Sequence, residues 1–357
     1  MNVQLLTFHC ALNYGAVLQA YALGKVLGNM GHEVSLVDLR PPALTGGFSF
    51  RPRGFMKRLE FANFVKRSCP RLISKTSQPG QLRARLTPAD VCVVGSDQVW
   101  NPDITGTFAA DYFLDFVQPT CRKIAYAASF GRERVEWGQG LKKRVTNYLA
   151  SFDAISVREK SGFRVLSELG VRHATHVMDP TLLLGDFKDL LPRGAKPRPE
   201  LLCLVFEPRE PFSAAAIAMA ERLSLTPVVL ARHRPDRRFQ SVPHPGVSEW
   251  VQRFHDASFV ITDSFHGLAC ALIFNKPFVV VPGNRERFCR LKDLLVDLSL
   301  ESRIFENYGE LLNDLRWTEA VPYEQVNACL AAKRKESLHF LGNNLSPVSR
   351  GKEGLLP

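Results

Sequence analysis

The sequence predicts an α/β protein built from two Rossmann-like β/α/β domains that face each other across a cleft. Three observations carry this expectation. Short apolar runs alternate with amphipathic helical stretches through residues 1–187 and again through 200–310. Between them, residues 186–199 (DFKDLLPRGAKPRP) carry three prolines and four basic residues, the composition of a connection. A chain of 357 residues is long for one core and suits two domains of about 150 residues each.

Taken in order, residues 3–9 read as a strand and 15–29 as a helix with Leu18, Tyr21, Ala22 and Val26 on one face. A second strand at 33–39 completes a βαβ opening, with the turn Asn13-Tyr14-Gly15-Ala16 at the helix start. That turn lacks G-x-G-x-x-G, so no dinucleotide site is expected. Strands follow at 90–94, 123–128, 154–157 and 175–178, with helices across 141–151 and 162–169. Beyond the connection, strands at 201–206, 227–230, 259–262 and 278–281 alternate with helices at 214–223, 249–256, 268–274 and 288–298. Residues 311–357 form a C-terminal helical segment, with its helix at 323–341, and a polar tail.

Residues 41–89 break the alternation. They hold ten Lys/Arg against a single acid, Glu60, within a net charge of +11. The stretch RPRGFMKRLEFANFVKRSCPRL mixes that charge with Phe55, Met56, Leu59, Phe61, Phe64 and Val65. This is the pattern of a basic amphipathic helix that lies on an anionic membrane surface; a solvated, partly disordered insertion has the same composition. Nucleic acid is not an expected partner, because no recognised module accompanies the charge.

No run of about 18 apolar residues is present, and the N-terminus has no basic n-region. The expected location is cytoplasmic, with peripheral contact at the inner face of the cytoplasmic membrane. Eight cysteines without a C-x-x-C pair suggest reduced, buried thiols. Neither H-x-H, H-E-x-x-H nor D-x-D occurs, so no metal site is expected.

The chemistry concentrates in residues 260–281, VITDSFHGLACALIFNKPFVVV. An acid, a hydroxyl, an imidazole and a glycine stand between a strand and a helix, where open α/β sheets bind ligands. The helix start adds N–H groups suited to an anion. Asp263 is expected to organise its own loop, and Asp179-Pro180-Thr181 to shape an interdomain turn or to border the cleft. Arg232-His233-Arg234 with Arg237-Arg238 make a second basic loop, either solvated charge or a site for a donor or a lipid diphosphate.

NYGAVLQAYAL, GHEVSLVD, VVGSDQVWNP, IAYAASFG, SVREKSG, MDPTLLL and DSFHGLACALIFNKPF, in this order, resemble the polysaccharide pyruvyl transferase family over roughly residues 5–300. The resemblance implies a fold similar to the GT-B glycosyltransferases. It also implies transfer of pyruvate from phosphoenolpyruvate to sugar hydroxyls, commonly as a cyclic ketal on a bacterial surface glycan. Where the family typically reads R-x-H-G, this chain reads Ser264-Phe265-His266-Gly267, so the arginine is replaced and another cation must compensate. Where the family often has N-x-G-D after the first strand, Ala16 stands in place of the acid, which shifts attention to Asp97.

On this footing His266 and Asp97 are the candidate catalytic residues. Arg158, Ser264, Phe265 and Gly267 are the candidate donor-binding residues, and Asn13, Tyr14 and Trp100 face the acceptor. Arginine suits the donor because its fork pairs bidentately with carboxylate or phosphate. His266 can serve as acid or as phosphate ligand. Trp100, three residues beyond Asp97, reads as a core or domain-contact residue or, on the acceptor side, as a sugar platform. No cofactor is implied; phosphoenolpyruvate is the donor substrate, and the partner is a lipid-linked or growing glycan. Two other readings stay open: a GT-B glycosyltransferase using a nucleotide sugar, and a non-catalytic glycan-binding member of the fold.

Overall fold

A computed structural model describes residues 1–45, 52–194, 196–206, 211–231, 235–283 and 285–346. Among these, seven parallel strands form a first sheet in the order β3-β2-β1-β4-β5-β6-β7. They are β1 (Asn2–Leu6), β2 (Glu33–Leu39), β3 (Arg71–Thr76), β4 (Val91–Val94), β5 (Arg122–Ala128), β6 (Ala154–Val157) and β7 (Thr175–His176). A second sheet runs β10-β9-β8-β11-β12, from β8 (Glu200–Leu204), β9 (Thr226–Val229), β10 (Gln240–Ser241), β11 (Phe259–Thr262) and β12 (Phe278–Val280). The helices used below are α1 (Tyr14–Asn29), α2 (Pro52–Ser68), α3 (Gln139–Leu149), α4 (Ser161–Glu168), α5 (Pro180–Leu184), α6 (Phe212–Leu223), α7 (Val247–Asp256), α8 (Phe265–Ile273), α9 (Arg285–Asp297) and α10 (Tyr323–Leu345).

Sequence explains the central strands directly. β4 (VCVV) and β11 (FVIT) are buried at every position, as a parallel strand covered on both faces must be. Strand order reverses between β1 and β4 in the first sheet and between β8 and β11 in the second. Loops leaving the carboxyl ends there diverge and open a crevice.

The basic segment departs from the expectation of a solvated insertion. Its helix α2 buries Phe61, Phe64 and Val65 in the core. Its following residues form β3, an edge strand paired in parallel with β2. Lys57 turns inward: its Nζ donates to the Leu12 carbonyl at 3.2 Å and sits 5.4 Å from the Tyr14 ring centroid. Residues 46–51 lie outside the described residues, as do Arg232-His233-Arg234 of the second basic loop.

The C-terminal helix is longer than expected and returns to the first sheet's side. The Met178 N–H donates to Ser337 Oγ at 2.9 Å, and Arg334 donates to the carbonyls of Leu182 and Leu183. Arg122 reaches the Asn344 carbonyl at 3.0 Å. None of the eight cysteines is joined in a disulfide. Among the described residues, no helix is long and apolar enough to cross a membrane.

Candidate active site

Both reversal points deliver loops to one place. After β11 the chain enters α8, capped by Ser264, whose Oγ accepts the Gly267 N–H at 3.4 Å. This sets His266 on the first turn. After β1 it enters α1, capped by Asn13, whose Oδ1 accepts the Ala16 N–H at 3.2 Å. Gly15 follows, and a methyl group there would overlap the imidazole of His266 around Nδ1. The Nδ1 edge is therefore closed by α1, and Nε2 lies 3.9 Å from Asp179 Oδ2.

Three strand ends of the first sheet complete the cluster: Asp97 after β4, Arg158 and Glu159 after β6, and Asp179 after β7. Arg158 Nη1 donates to Asp179 Oδ2 at 2.9 Å and Nη2 to Asp97 Oδ1 at 3.4 Å. Its Nε lies 3.6 Å from Glu159 Oε2, and its Cζ is 5.1 Å from the Phe265 ring centroid. Asp179 Oδ1 accepts from the Thr181 N–H and hydroxyl at 2.9 and 2.7 Å. Its Oδ2 also accepts from the Ser96 hydroxyl at 3.3 Å. Arg290 of α9, itself buried, comes to the same place: it shares the wall of a cavity of about 50 Å³ with Arg158, Asp179 and Phe265.

The charges shift one another. Burial lowers the pKa of His266, more than the nearby carboxylates of Asp179 and Asp97 raise it, so the imidazole of the free protein favours the neutral form. Burial alone would raise Asp179, but His266, Arg158 and Thr181 outweigh it and hold the carboxyl below the usual range. Burial opposes the charge of Arg158, yet Asp97, Asp179 and Glu159 raise its pKa overall. Arg290 is compensated less: burial and the charge of Arg158 lower its pKa more than Glu159 and Asp97 raise it.

Four buried atoms here find no hydrogen-bond partner among the described residues: Arg158 Nε, Glu159 Oε2, His266 Nε2 and Arg290 Nε. An unsatisfied buried donor or acceptor costs about 1–3 kcal/mol. Their gathering at one point marks unused hydrogen-bonding capacity where a polar ligand would supply partners.

The residues singled out from sequence divide accordingly. His266, Asp97, Arg158 and Phe265 meet in the cluster, with Ser264 and Asn13 as the caps that position it. Trp100 does not face the cleft. It is 1% exposed, stacks on Phe113 at 5.3 Å, and donates from Nε1 to the Tyr112 carbonyl at 3.2 Å. The sugar-platform expectation is corrected: the loop after Asp97 bends back into the core. Tyr14 is likewise occupied, stacked on Trp250 at 5.2 Å and donating to the Pro245 carbonyl at 2.7 Å. It joins the two halves and offers no free ring face to an acceptor. At Gly267 a Cβ would collide with Thr262 and crowd Leu204, so close helix–strand packing requires the glycine there, not ligand approach.

Sequence reasoning missed Glu159, Ser96 and Arg290 as members of the cluster, and reached Asp179 only as a turn residue able to border the cleft. Asp179 had a legible signal, an N-cap acid followed by proline at the first helical position. Arg290 had none, since α9 reads as an ordinary surface helix. Among the described residues, no group of three His, Cys, Asp or Glu side chains is arranged to hold a metal ion.

Residues 13–285 match the family model for polysaccharide pyruvyl transferases. The chain belongs to that family. No curated protein matches it in sequence. Among solved structures it is similar to the UDP-GlcNAc 2-epimerase of Neisseria meningitidis bound to UDP-GlcNAc, at 8% identity and a TM-score of 0.55, covering 96% of this chain and 100% of that one. A Listeria monocytogenes protein classed as a UDP-N-acetylglucosamine 2-epimerase gives 11% identity, a TM-score of 0.55, and coverage of 100% and 99%. The UDP-GlcNAc 2-epimerase of Methanocaldococcus jannaschii gives 10%, 0.52, and 93% and 99%. At these identities the likeness shows the fold alone, a GT-B-like pair of Rossmann-like units. Within that fold, this pyruvyl transferase family member carries its motif histidine where the two sheets' crevices meet.

Proposed function

We propose that this chain transfers pyruvate from phosphoenolpyruvate to hydroxyls of a bacterial surface glycan, closing a cyclic ketal. The observation that supports this reading most is the gathering of four buried polar atoms without a hydrogen bond among the described residues, on Arg158, Glu159, His266 and Arg290. Arg158 is already shared among three carboxylates, so Arg290 is the cation that compensates for the arginine replaced by Ser264. Together they would hold the donor's carboxylate and phosphate. In this reading the required positive charge comes from the protein's own arginines, without a metal.

His266 takes up a proton as the anionic donor arrives and passes it from Nε2 to the methylene carbon. Asp97 accepts the proton of an acceptor hydroxyl as its oxygen bonds to the substituted carbon. Phosphate leaves with the C–O bond electrons, and a second hydroxyl of the same sugar adds to that carbon, losing its proton. The atoms balance as donor plus diol giving ketal plus inorganic phosphate. A 50 Å³ cavity is far below the roughly 300–1,000 Å³ of ordinary ligand sites, so admitting the donor requires the halves to part.

A nucleotide-sugar donor is the competing reading, favoured by the fold it shares with the epimerases. Thermal unfolding with phosphoenolpyruvate, UDP-sugars and GDP-sugars separates the two, because a ligand of the native state raises its stability. Stabilisation by phosphoenolpyruvate is expected. A response to a nucleotide sugar instead would overturn the proposal.

A further inference from the structure

The first sheet carries a second feature, away from the Arg158 cluster. An open groove of about 700 Å³ lies beside the carboxyl ends of β2 and β3, lined by Arg40, Arg58, Lys75 and Arg85 together with Gln78 and Gln81. Among the described residues, no carboxylate lines it. Arg40 is held in place from beneath, its Nε donating to Asp38 Oδ1 at 2.6 Å. Asp38 in turn meets His9 Nε2 at 2.9 Å, and His9 leads back to Thr7, whose hydroxyl donates to the Ser96 carbonyl at 3.0 Å. A continuous polar path thus runs from the groove towards the cluster at Asp179.

The helix that contributes Arg58 also leaves its apolar tip uncovered. Phe55 and Met56 are 58% and 57% exposed, and Leu59 is 41% exposed. Further along the same face come the exposed Lys66 and Arg67. The other side of α2 is anchored, with Phe61 5.0 Å from Tyr14, which stacks on Trp250 of the second half. The tip is therefore a fixed projection beside a cationic groove.

We infer that this face docks on a bilayer, with Phe55, Met56 and Leu59 in the interfacial layer and the groove on the phosphate of an anionic lipid headgroup. Nucleic acid would match the cations but not the projecting methionine and leucine; a bilayer surface matches both. Size agrees, because 700 Å³ accommodates a headgroup of one or two phosphates. The inference does not depend on the identity of the donor at His266. If both hold, the acceptor glycan arrives on its lipid from the same end of the sheet as the cluster.

The test is co-sedimentation of the full chain with vesicles of phosphatidylcholine alone or mixed with phosphatidylglycerol. Wild type should bind only the mixed vesicles. The double variants Phe55→Ser/Met56→Ser and Lys75→Glu/Arg85→Glu should each bind about tenfold or more weakly, with unchanged circular dichroism and Tm. Inorganic diphosphate, added as a soluble probe, distinguishes the source. If it stabilises wild type but not Lys75→Glu/Arg85→Glu, while no vesicle is bound, the groove serves a soluble phosphate and the inference fails. Equal binding to both vesicle types, or variants that bind like wild type, would also overturn it.

Discussion

Gly15 and His266, 251 positions apart in the chain, leave no room for a methyl group between them. One begins α1 of the first half and the other begins α8 of the second, so this contact closes the two reversal-point loops upon each other. Helix propensity favours alanine over glycine by roughly 1 kcal/mol in a helix interior, whereas the contact forbids it. Gly15→Ala should therefore lower Tm and weaken phosphoenolpyruvate binding about tenfold or more, while far-UV circular dichroism is preserved. A raised Tm with unchanged binding would show that the contact is not needed.

Asp179 holds Arg158 at 2.9 Å in a fully buried setting. Removing one partner of such a pair leaves a charge without its counter-ion and typically costs about 3–5 kcal/mol. Asp97 and Glu159 remain to Arg158, so Asp179→Asn should lie near the low end, about 3 kcal/mol by chemical denaturation. Asp179 also raises the pKa of His266, so the His266 ring titration, followed by NMR, should move further down in the variant. Stability within about 0.5 kcal/mol of wild type would remove the pair from the account.

A pH dependence follows from His266. Its pKa in the free protein is lowered by burial, and a group whose folded value lies below its unfolded value contributes stability above the unfolded pKa. That stability is lost as pH falls below about 6.5. An anion bound beside Nε2 raises the pKa again, so donor binding takes up a proton near pH 7. Calorimetric titrations in two buffers of different ionisation enthalpy should report proton uptake by wild type and none by His266→Gln. Equal uptake by both would assign the proton elsewhere.

Trp100 offers a contrast between structural and chemical importance. Its ring stacks against Phe113 and contacts Phe130 and Phe152. Trp100→Ala should cost about 3–5 kcal/mol, whereas Trp100→Phe should cost less and leave turnover per folded molecule unchanged. A variant with normal stability and lost turnover would restore the acceptor-facing role.

These residues also show where sequence was legible. β4 and β11 read plainly because strands buried on both faces become unbroken apolar runs. β3, RLISKT, did not, because an edge strand with one side in water keeps its Arg, Ser and Lys. His266 was visible from its loop between strand and helix. Arg290 was not, since its burial is created by α9 folding over the end of β6, a long-range event without a local pattern. Trp100 read two ways, as core or as an acceptor-facing ring, since an aromatic next to a candidate acid looks chemical until the loop's direction is known.

The central claim is that the cluster around His266 holds an enol phosphate with Arg290 as an anion-binding cation. Equilibrium binding of labelled phosphoenolpyruvate to wild type and to Arg290→Met, with Tm measured for both, tests it most directly. Replacing a buried, poorly compensated charge by an apolar side chain of similar length is often neutral or stabilising. The account predicts an unchanged or raised Tm in Arg290→Met together with binding weakened about tenfold or more, the loss expected for a charge-assisted hydrogen bond. No binding by wild type, or equal binding by Arg290→Met, would contradict it.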